Sequence, residues 1–252
     1  MTVGGLFEGI GGFALAAREE GFDSLWSTDI NPKCCRVLRK NFTHKIIEAD
    51  VCTIGKHNLE RVDIITGGFP CQDISVSGQG AGIIGAKSGL WNEFARIISE
   101  INPSLVLIEN SPELLKKGFE KVLYDLAEIG YDAEWEILSA SDFGLPHLRK
   151  RVWILAYTDV QRWSGILHML KRSIVKKNRE TNPLDTSCHP FLQFEQRYSE
   201  PPVFGMVDGV SKRLDVVDRL AQCGNSIAPI VARQIFKALA LVLDERGNER
   251  PM

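Results

Sequence analysis

No apolar run in this sequence is long enough to cross a bilayer. The opening residues Met1-Thr2-Val3-Gly4-Gly5 lack both the basic start and the apolar core of a signal peptide. These absences point to a cytoplasmic protein without a membrane partner. The six cysteines include no Cys-x-x-Cys, and no His/Cys cluster has zinc spacing, so neither a disulfide framework nor a metal site is expected. The adjacent Cys34 and Cys35 read as two helix positions. Internal repeats are missing, and so is an excess of positive charge: a net charge of −2 does not by itself mark a nucleic-acid binder. What remains is the composition of a globular protein, 44% hydrophobic and 25% charged. Its 252 residues are enough for one α/β domain with a smaller appendage.

The even charge balance conceals a local bias. Between Thr158 and Arg179 the cations Arg162, Lys171, Arg172, Lys176, Lys177 and Arg179 are set against one acid, Asp159, and Arg149, Lys150 and Arg151 come just before. Such a stretch suits phosphates, although taken alone it is more often a solvated face.

Along the chain, short apolar runs alternate with helical patterns, which predicts an α/β fold with a doubly wound, mostly parallel sheet. Strands are expected at Leu6-Phe7, Ser24–Ser27, Lys45–Ile47, Val62–Thr66, Leu105–Ile108, Ala133–Leu138 and Val152–Tyr157. Helices are expected over Phe13–Glu20, Pro32–Asn41, Trp91–Ile101 and Glu113–Ile129. After Tyr157 no clear period is visible as far as Pro202, and Pro183, Pro190, Pro201 and Pro202 punctuate a polar, basic run. A helical pattern returns over Ile230–Leu243, after Gly224-Asn225-Ser226. The organisation is therefore read as a main domain over residues 1–157, a small irregular insert over 158–208, and a C-terminal segment over 209–252 that returns to the main domain.

The densest chemical signal is Gly67-Gly68-Phe69-Pro70-Cys71-Gln72-Asp73-Ile74-Ser75, directly after the strand-like Val62–Thr66. Pro70 fixes its own backbone angle and restricts Phe69, so Cys71 is aimed at the carboxyl end of a parallel strand, where ligands of open α/β sheets sit. Cys71 reads as a nucleophile. The plainer reading is a buried small hydrophobe, as free cysteines usually are.

A second signal joins the first strand to the first helix: Phe7-Glu8-Gly9-Ile10-Gly11-Gly12-Phe13, a turn that lets a ligand approach the backbone closely. Asp29 ends the second strand, where a carboxylate commonly accepts the two ribose hydroxyls of an adenosine. Ile30 offers apolar surface to the adenine, and Asp50 a partner for its exocyclic amine. The spacing Gly9-x-Gly11-x-x-Ala14 also satisfies the relaxed dinucleotide fingerprint, so these residues leave NAD and other adenosine cofactors open.

Taken together, Phe7-Glu8-Gly9-Ile10-Gly11-Gly12, Gly68-Phe69-Pro70-Cys71-Gln72, Glu109-Asn110, Arg149-x-Arg151 and Gly224-Asn225-Ser226 resemble, in order and spacing, the motifs of the cytosine carbon-5 DNA methyltransferases. The resemblance covers nearly the whole chain outside the insert. It implies a Rossmann-like, S-adenosylmethionine-dependent methyltransferase fold, S-adenosylmethionine as donor with S-adenosylhomocysteine as product, and a flipped-out cytosine of double-stranded DNA as acceptor. The implied catalytic residues are Cys71, Glu109, Arg149 and Arg151. The implied donor-binding residues are Phe7, Gly9, Gly11, Gly12, Asp29, Ile30, Asp50, Phe69, Pro70, Leu90, Asn225 and Ser226. Arg162, Lys171, Arg172, Lys176, Lys177 and Arg179 are read as DNA-binding, and the protein as a monomer.

The chemistry fits these residue types. Carbon-5 of cytosine is a poor nucleophile until a thiolate adds at carbon-6, and that addition is easier when an acid such as Glu109 protonates N3. Arg149 and Arg151, two apart at the start of a strand, are expected to share a side. The glycine- and serine-rich residues after Cys71 suit a loop that closes over DNA. The chain departs from the family at Gly5, where an acid is usual, at Ser111 and at His147. A transfer-RNA cytosine methyltransferase shares these motifs, and a catalytically silent DNA-binding relative is a third reading. An adenine amino-methyltransferase is disfavoured because no Asn/Asp-Pro-Pro-aromatic motif occurs.

Overall fold

Among the described residues seven strands form: β1 (Thr2–Leu6), β2 (Asp23–Asp29), β3 (Lys45–Glu48), β4 (Ile64–Gly67), β5 (Leu105–Asn110), β6 (Asp132–Ser139) and β7 (Lys150–Tyr157). The computed structural model describes residues 1–70, 89–145, 148–180 and 227–247. The strands make one sheet in the order β3-β2-β1-β4-β5-β7-β6, parallel from β3 through β5, with β7 antiparallel to both β5 and β6. This is the doubly wound, mostly parallel sheet that the sequence predicts.

The apolar strands are explained by what lies on each face. All six residues of β5 are buried, and they alternate between two cores: Val106 and Ile108 in one, Leu105 and Leu107 in the other. A strand covered on both faces has no solvent side, which is why it reads as a continuous run rather than as an alternation. On the first face lie α3 (Leu90–Ile101) and α4 (Phe119–Glu128), with Trp91, Phe94, Ile97, Ile98 and Ile101 on the buried stripe of α3. Each such large side chain contributes about 1.5–3 kcal/mol on burial. On the second face α1 (Gly12–Glu19) packs through Phe13, Ala16 and Ala17. The helix α2 (Pro32–Asn41) starts where the Asn31 side chain accepts the Lys33 N–H, with Pro32 at its first position.

Two segments differ from the sequence reading. The single helix expected over Glu113–Ile129 is a 3₁₀ turn, Pro112–Lys116, followed by α4, and the chain turns between them at Gly118 (φ +99°). Further on, residues 160–180, expected to be irregular, are helical: α5 (Val160–Trp163) and α6 (Ile166–Glu180). Much of the stabilisation of α6 comes from elsewhere in the chain, which is why no local cap announced it. The carboxylate of Glu134 on β6 accepts the N–H groups of Gly165 (2.6 Å) and Leu167 (2.8 Å) at the helix start. Trp163, Ile166, Leu167 and Ile174 are buried in the same core as α1 and α7 (Pro229–Gly247). The core of the main body therefore continues past Tyr157.

The C-terminal helix α7 packs against the first helix. Arg233 pairs with Glu19 (3.3 Å) and Glu20 (2.6 Å), and the rings of Phe22 and Phe236 lie 5.0 Å apart.

Candidate active site

The strand order reverses between β1 and β4, so the loops that leave their carboxyl ends diverge and open a crevice. A cavity of about 370 Å³ occupies that crevice. At one end it is lined by Phe7, Gly9, Asp29, Ile30 and Asp50, at the other by Glu109, Arg149 and Arg151, with Phe69, Pro70 and Leu90 also on its wall. Residues expected from two separate arguments thus share one space.

At the first end the acids are held by backbone amides. Asp29 accepts the Gly9 N–H and the Asn31 N–H, each at 2.8 Å, which ties the loop after β1 to the end of β2. Ile30 beside it is 65% exposed, an uncovered apolar surface of a size to take a planar ring. Asp50 caps the 3₁₀ turn Val51–Thr53 through the Cys52 N–H (2.9 Å), and that bond holds its carboxyl below the usual carboxylate range. Arg96 of α3 fastens the same turn by donating to the carbonyls of Val51 and Ile54 while paired with Glu93 and Glu100. Gly11 and Gly12 do not line the cavity. Gly11 (φ +96°) is the N-cap of α1, where a Cβ would strike Phe42 and Leu38; Gly12 packs against Ile227.

At the second end the partners are side chains. Glu109 is buried near the carboxyl end of β5, and the antiparallel pairing of β7 brings the start of that strand alongside it. Arg151 Nε lies 2.9 Å from Glu109 Oε1. Burial pushes the Glu109 pKa up, against the opposing pull of the Arg151 and Arg149 guanidiniums. A carboxyl poised in this way can hold a proton and give it up. The two arginines reach the cavity by different routes: Arg151 is in β7, but Arg149 precedes it in a left-handed conformation (φ +29°), so strand alternation does not explain their shared side. A non-glycine residue at such an angle carries strain of the kind found at functional sites, and Phe7 (φ +52°) on the same cavity is another case.

Two residues belong to this arrangement although sequence reasoning gave them no role. Asn110 Nδ2 donates to the carbonyl of Phe69 (3.2 Å), which links the end of β5 to the Phe69-Pro70 turn; a polar residue ending an otherwise apolar strand was the available signal. Glu8 is buried and accepts the Ala14 N–H through Oε1 (2.9 Å). The cap of the turn after β5 is Ser111, whose hydroxyl accepts the Glu113 N–H, which leaves Glu109 to the cavity.

Cys71, the next residue after Pro70, lies outside the described residues, as do Asn225, Ser226 and His147. Among the expected DNA-binding residues, Lys171 donates to the Ile137 carbonyl (2.8 Å) and approaches Asp142 (3.3 Å), so its charge is turned onto the body. Arg162 stacks over the Trp163 ring at 4.7 Å, and Arg172 is exposed. The side chains of Lys176, Lys177 and Arg179 lie outside the described residues. Among the described residues no His/Cys/Asp/Glu group has the geometry of a metal site, and no helix is long and apolar enough to cross a membrane.

The family model for C-5 cytosine-specific DNA methylase matches residues 1–194. The type II methyltransferase M2.BsuMI of Bacillus subtilis is 36% identical over 164 residues, covering 62% of this chain and 42% of its own length. M.NgoFVII of Neisseria gonorrhoeae is 32% identical over 156 residues, covering 60% and 42%. The chain thus spans about half the length of the curated relatives it matches, 40% to 55% for those compared. Among solved structures, a prophage-encoded E. coli protein described as a DNA modification methyltransferase superposes with a TM-score of 0.63 at 20% identity, over 97% of this chain and 99% of that one. The S. pombe Dnmt2 methyltransferase does so with 0.59 at 16%, over 98% and 99%. At these identities the two structures speak for the fold.

Proposed function

Because the chain belongs to the C-5 cytosine-specific DNA methylase family, we propose that it transfers a methyl group from S-adenosylmethionine to carbon-5 of a cytosine flipped out of duplex DNA. The observation that carries this reading is the shared cavity. Glu109 and its arginines at one end face Asp29, Ile30 and Asp50 at the other, and Phe69 and Pro70, the residues that precede Cys71 in the sequence, are on its wall.

The donor end fits an adenosine. Asp29 has its carboxylate fixed by two amides yet still lines the cavity, Ile30 presents open apolar surface, and Asp50 is held ionised. When bound there, the donor supplies an electrophilic methyl group. The Cys71 thiolate adds to carbon-6 of the cytosine, and Glu109 delivers its proton to N3, so the ring becomes an enamine whose carbon-5 takes the methyl group. Loss of the carbon-5 proton to a base, with water sufficient for the role, then expels Cys71 as thiolate, and return of the N3 proton to Glu109 restores the neutral ring. Arg151 and Arg149 steady the charge that Glu109 gains when its proton leaves.

A base inside a duplex stack is out of reach, so the acceptor must be extruded. The exposed Arg172 and the cations after it suit the flanking phosphates, whereas Lys171 is engaged with the body. The type II names of the relatives favour a restriction-modification setting, and we propose that the protein acts there as a monomer in the cytoplasm. Tritiated methyl transfer to duplex DNA and to RNA tests the reading: label in DNA that disappears in Cys71→Ala is expected, and label in RNA alone would place the chain with the transfer-RNA enzymes. No transfer together with no adduct on fluorinated cytosine duplex would mark a silent DNA-binding relative.

A further inference from the structure

Glu8 is a buried acid that the methyl-transfer chemistry does not use. It follows Phe7 at the end of β1, its N–H donates to the Thr28 carbonyl of β2 (3.0 Å), and its Oε1 accepts the Ala14 N–H on the first turn of α1 (2.9 Å). The side chain folds back along its own strand. A Cβ on Gly5 would lie 1.9 Å from Glu8 Oε2 and 3.4 Å from Ser27 Oγ, so the carboxyl occupies the volume that a side chain at position 5 would fill. The loop is left with two carboxyl clamps: Asp29 holds Gly9 from outside, and Glu8 holds the start of α1 from within.

We infer that Glu8 is a positioning residue for the donor loop: lodged in the space left open by Gly5, its carboxyl pins the first amides of α1 and so fixes the Gly9–Gly12 turn. The inference rests on reading the cavity as a donor site. Around the carboxyl, α1 presents the amides of Phe13 and Ala14. From β2 come Ser27, itself 2.8 Å from His44 Nε2, and the Asp29 carboxylate. Burial first, and then the nearby negative charge of Asp29, push the Glu8 pKa up to about 8, against the pull of the two amides. The neutral carboxyl is therefore favoured at neutral pH, with Oε1 as acceptor, while burial also raises the Asp29 pKa against the pull of its Asn31 and Gly9 amides. Above pH 8 Glu8 ionises beside Asp29, and two like charges must share the loop.

Amide hydrogen exchange without donor tests the clamp directly. In Glu8→Ala the amides of Phe13 and Ala14 exchange about tenfold faster, Glu8→Gln retains the acceptor and stays near wild type, and Gly5→Asp combined with Glu8→Ala recovers part of the protection. Unchanged exchange in Glu8→Ala, or no recovery in the double variant, overturns the inference. Calorimetric titration with S-adenosylhomocysteine between pH 6 and 9 adds a readout that a merely structural acid would not move. Wild-type affinity falls as pH passes 8, and Glu8→Gln stays flat. A flat wild-type profile overturns the coupling. If the amide results hold but wild type binds no S-adenosylhomocysteine at any pH, the clamp stands and the donor reading of the cavity fails.

Discussion

Asp29 and Glu109 are strand-end carboxylates on one cavity, but they are held in opposite ways. Asp29 is fixed by backbone N–H groups of its own neighbourhood, from Asn31 two residues on and from Gly9 on the adjoining parallel strand's loop. Glu109 faces the guanidinium of Arg151, which is 42 residues further along and arrives only because β7 runs antiparallel to β5. Backbone amides are available wherever a loop or helix begins, so an acid held by them tolerates change around it. A carboxyl facing a side chain depends on one residue and on strand register. The Asp29 end is therefore a property of the parallel βαβ half, and the Glu109 end is a property of where that pattern is broken.

The largest test of this contrast is Glu109→Gln, which keeps the shape of the base end but removes the transferable proton. Methyl transfer should drop by about 10²–10⁴-fold with donor affinity nearly intact. An equal loss of donor binding would mean the two ends are one unit. Next in size is the pH dependence of stability contributed by Glu8. Its pKa in the folded state, about 8, lies above the unfolded value near 4.5, so the folded chain binds the extra proton between them. The associated stability is complete below about pH 4.5, declines as pH rises, and is gone above about pH 8. The total amounts to several kcal/mol by linkage. Chemical denaturation at intervals across that window should show wild type falling more steeply than Glu8→Gln; parallel curves would remove Glu8 as the cause.

A smaller effect is expected for Asp29→Ala, which leaves the Gly9 and Asn31 amides without their acceptor. About 1–3 kcal/mol of stability should be lost along with about tenfold in S-adenosylhomocysteine affinity, measured by denaturation and titration. If Glu109→Gln behaved the same way, the distinction between local and long-range support would collapse. The smallest test separates Lys171 from Arg172. Lys171→Met should cost about 1 kcal/mol because Lys171 bonds the Ile137 carbonyl, with little change in the salt dependence of DNA binding. Arg172→Met should leave stability within about 0.5 kcal/mol and lower the salt slope by about one phosphate contact.

How far the sequence could be read follows the same division. Strands β1 to β5 and helices α1 to α3 were visible because each is decided by its own apolar period, with a local cap from Asn31 at α2. The helix α6 was not, since Glu134, distant in sequence, caps its start and its apolar positions are buried under α7. Glu109 and the arginines were placed as a set by resemblance alone. No local spacing says that residues 109 and 151 lie 2.9 Å apart. Glu8 went unassigned because its meaning depends on an empty volume at Gly5, and a vacancy is not a motif.

By itself the sequence determined the doubly wound sheet and the glycine-bearing turn after β1, since these depend on periodicity and on the backbone freedom of glycine. Tertiary structure alone decided three things: that β7 reverses direction beside β5, that Arg149 enters in a left-handed conformation, and that Glu8 folds back over Gly5. Each depends on which surfaces meet across the sheet, and packing and desolvation act on those surfaces only once the chain has brought them together.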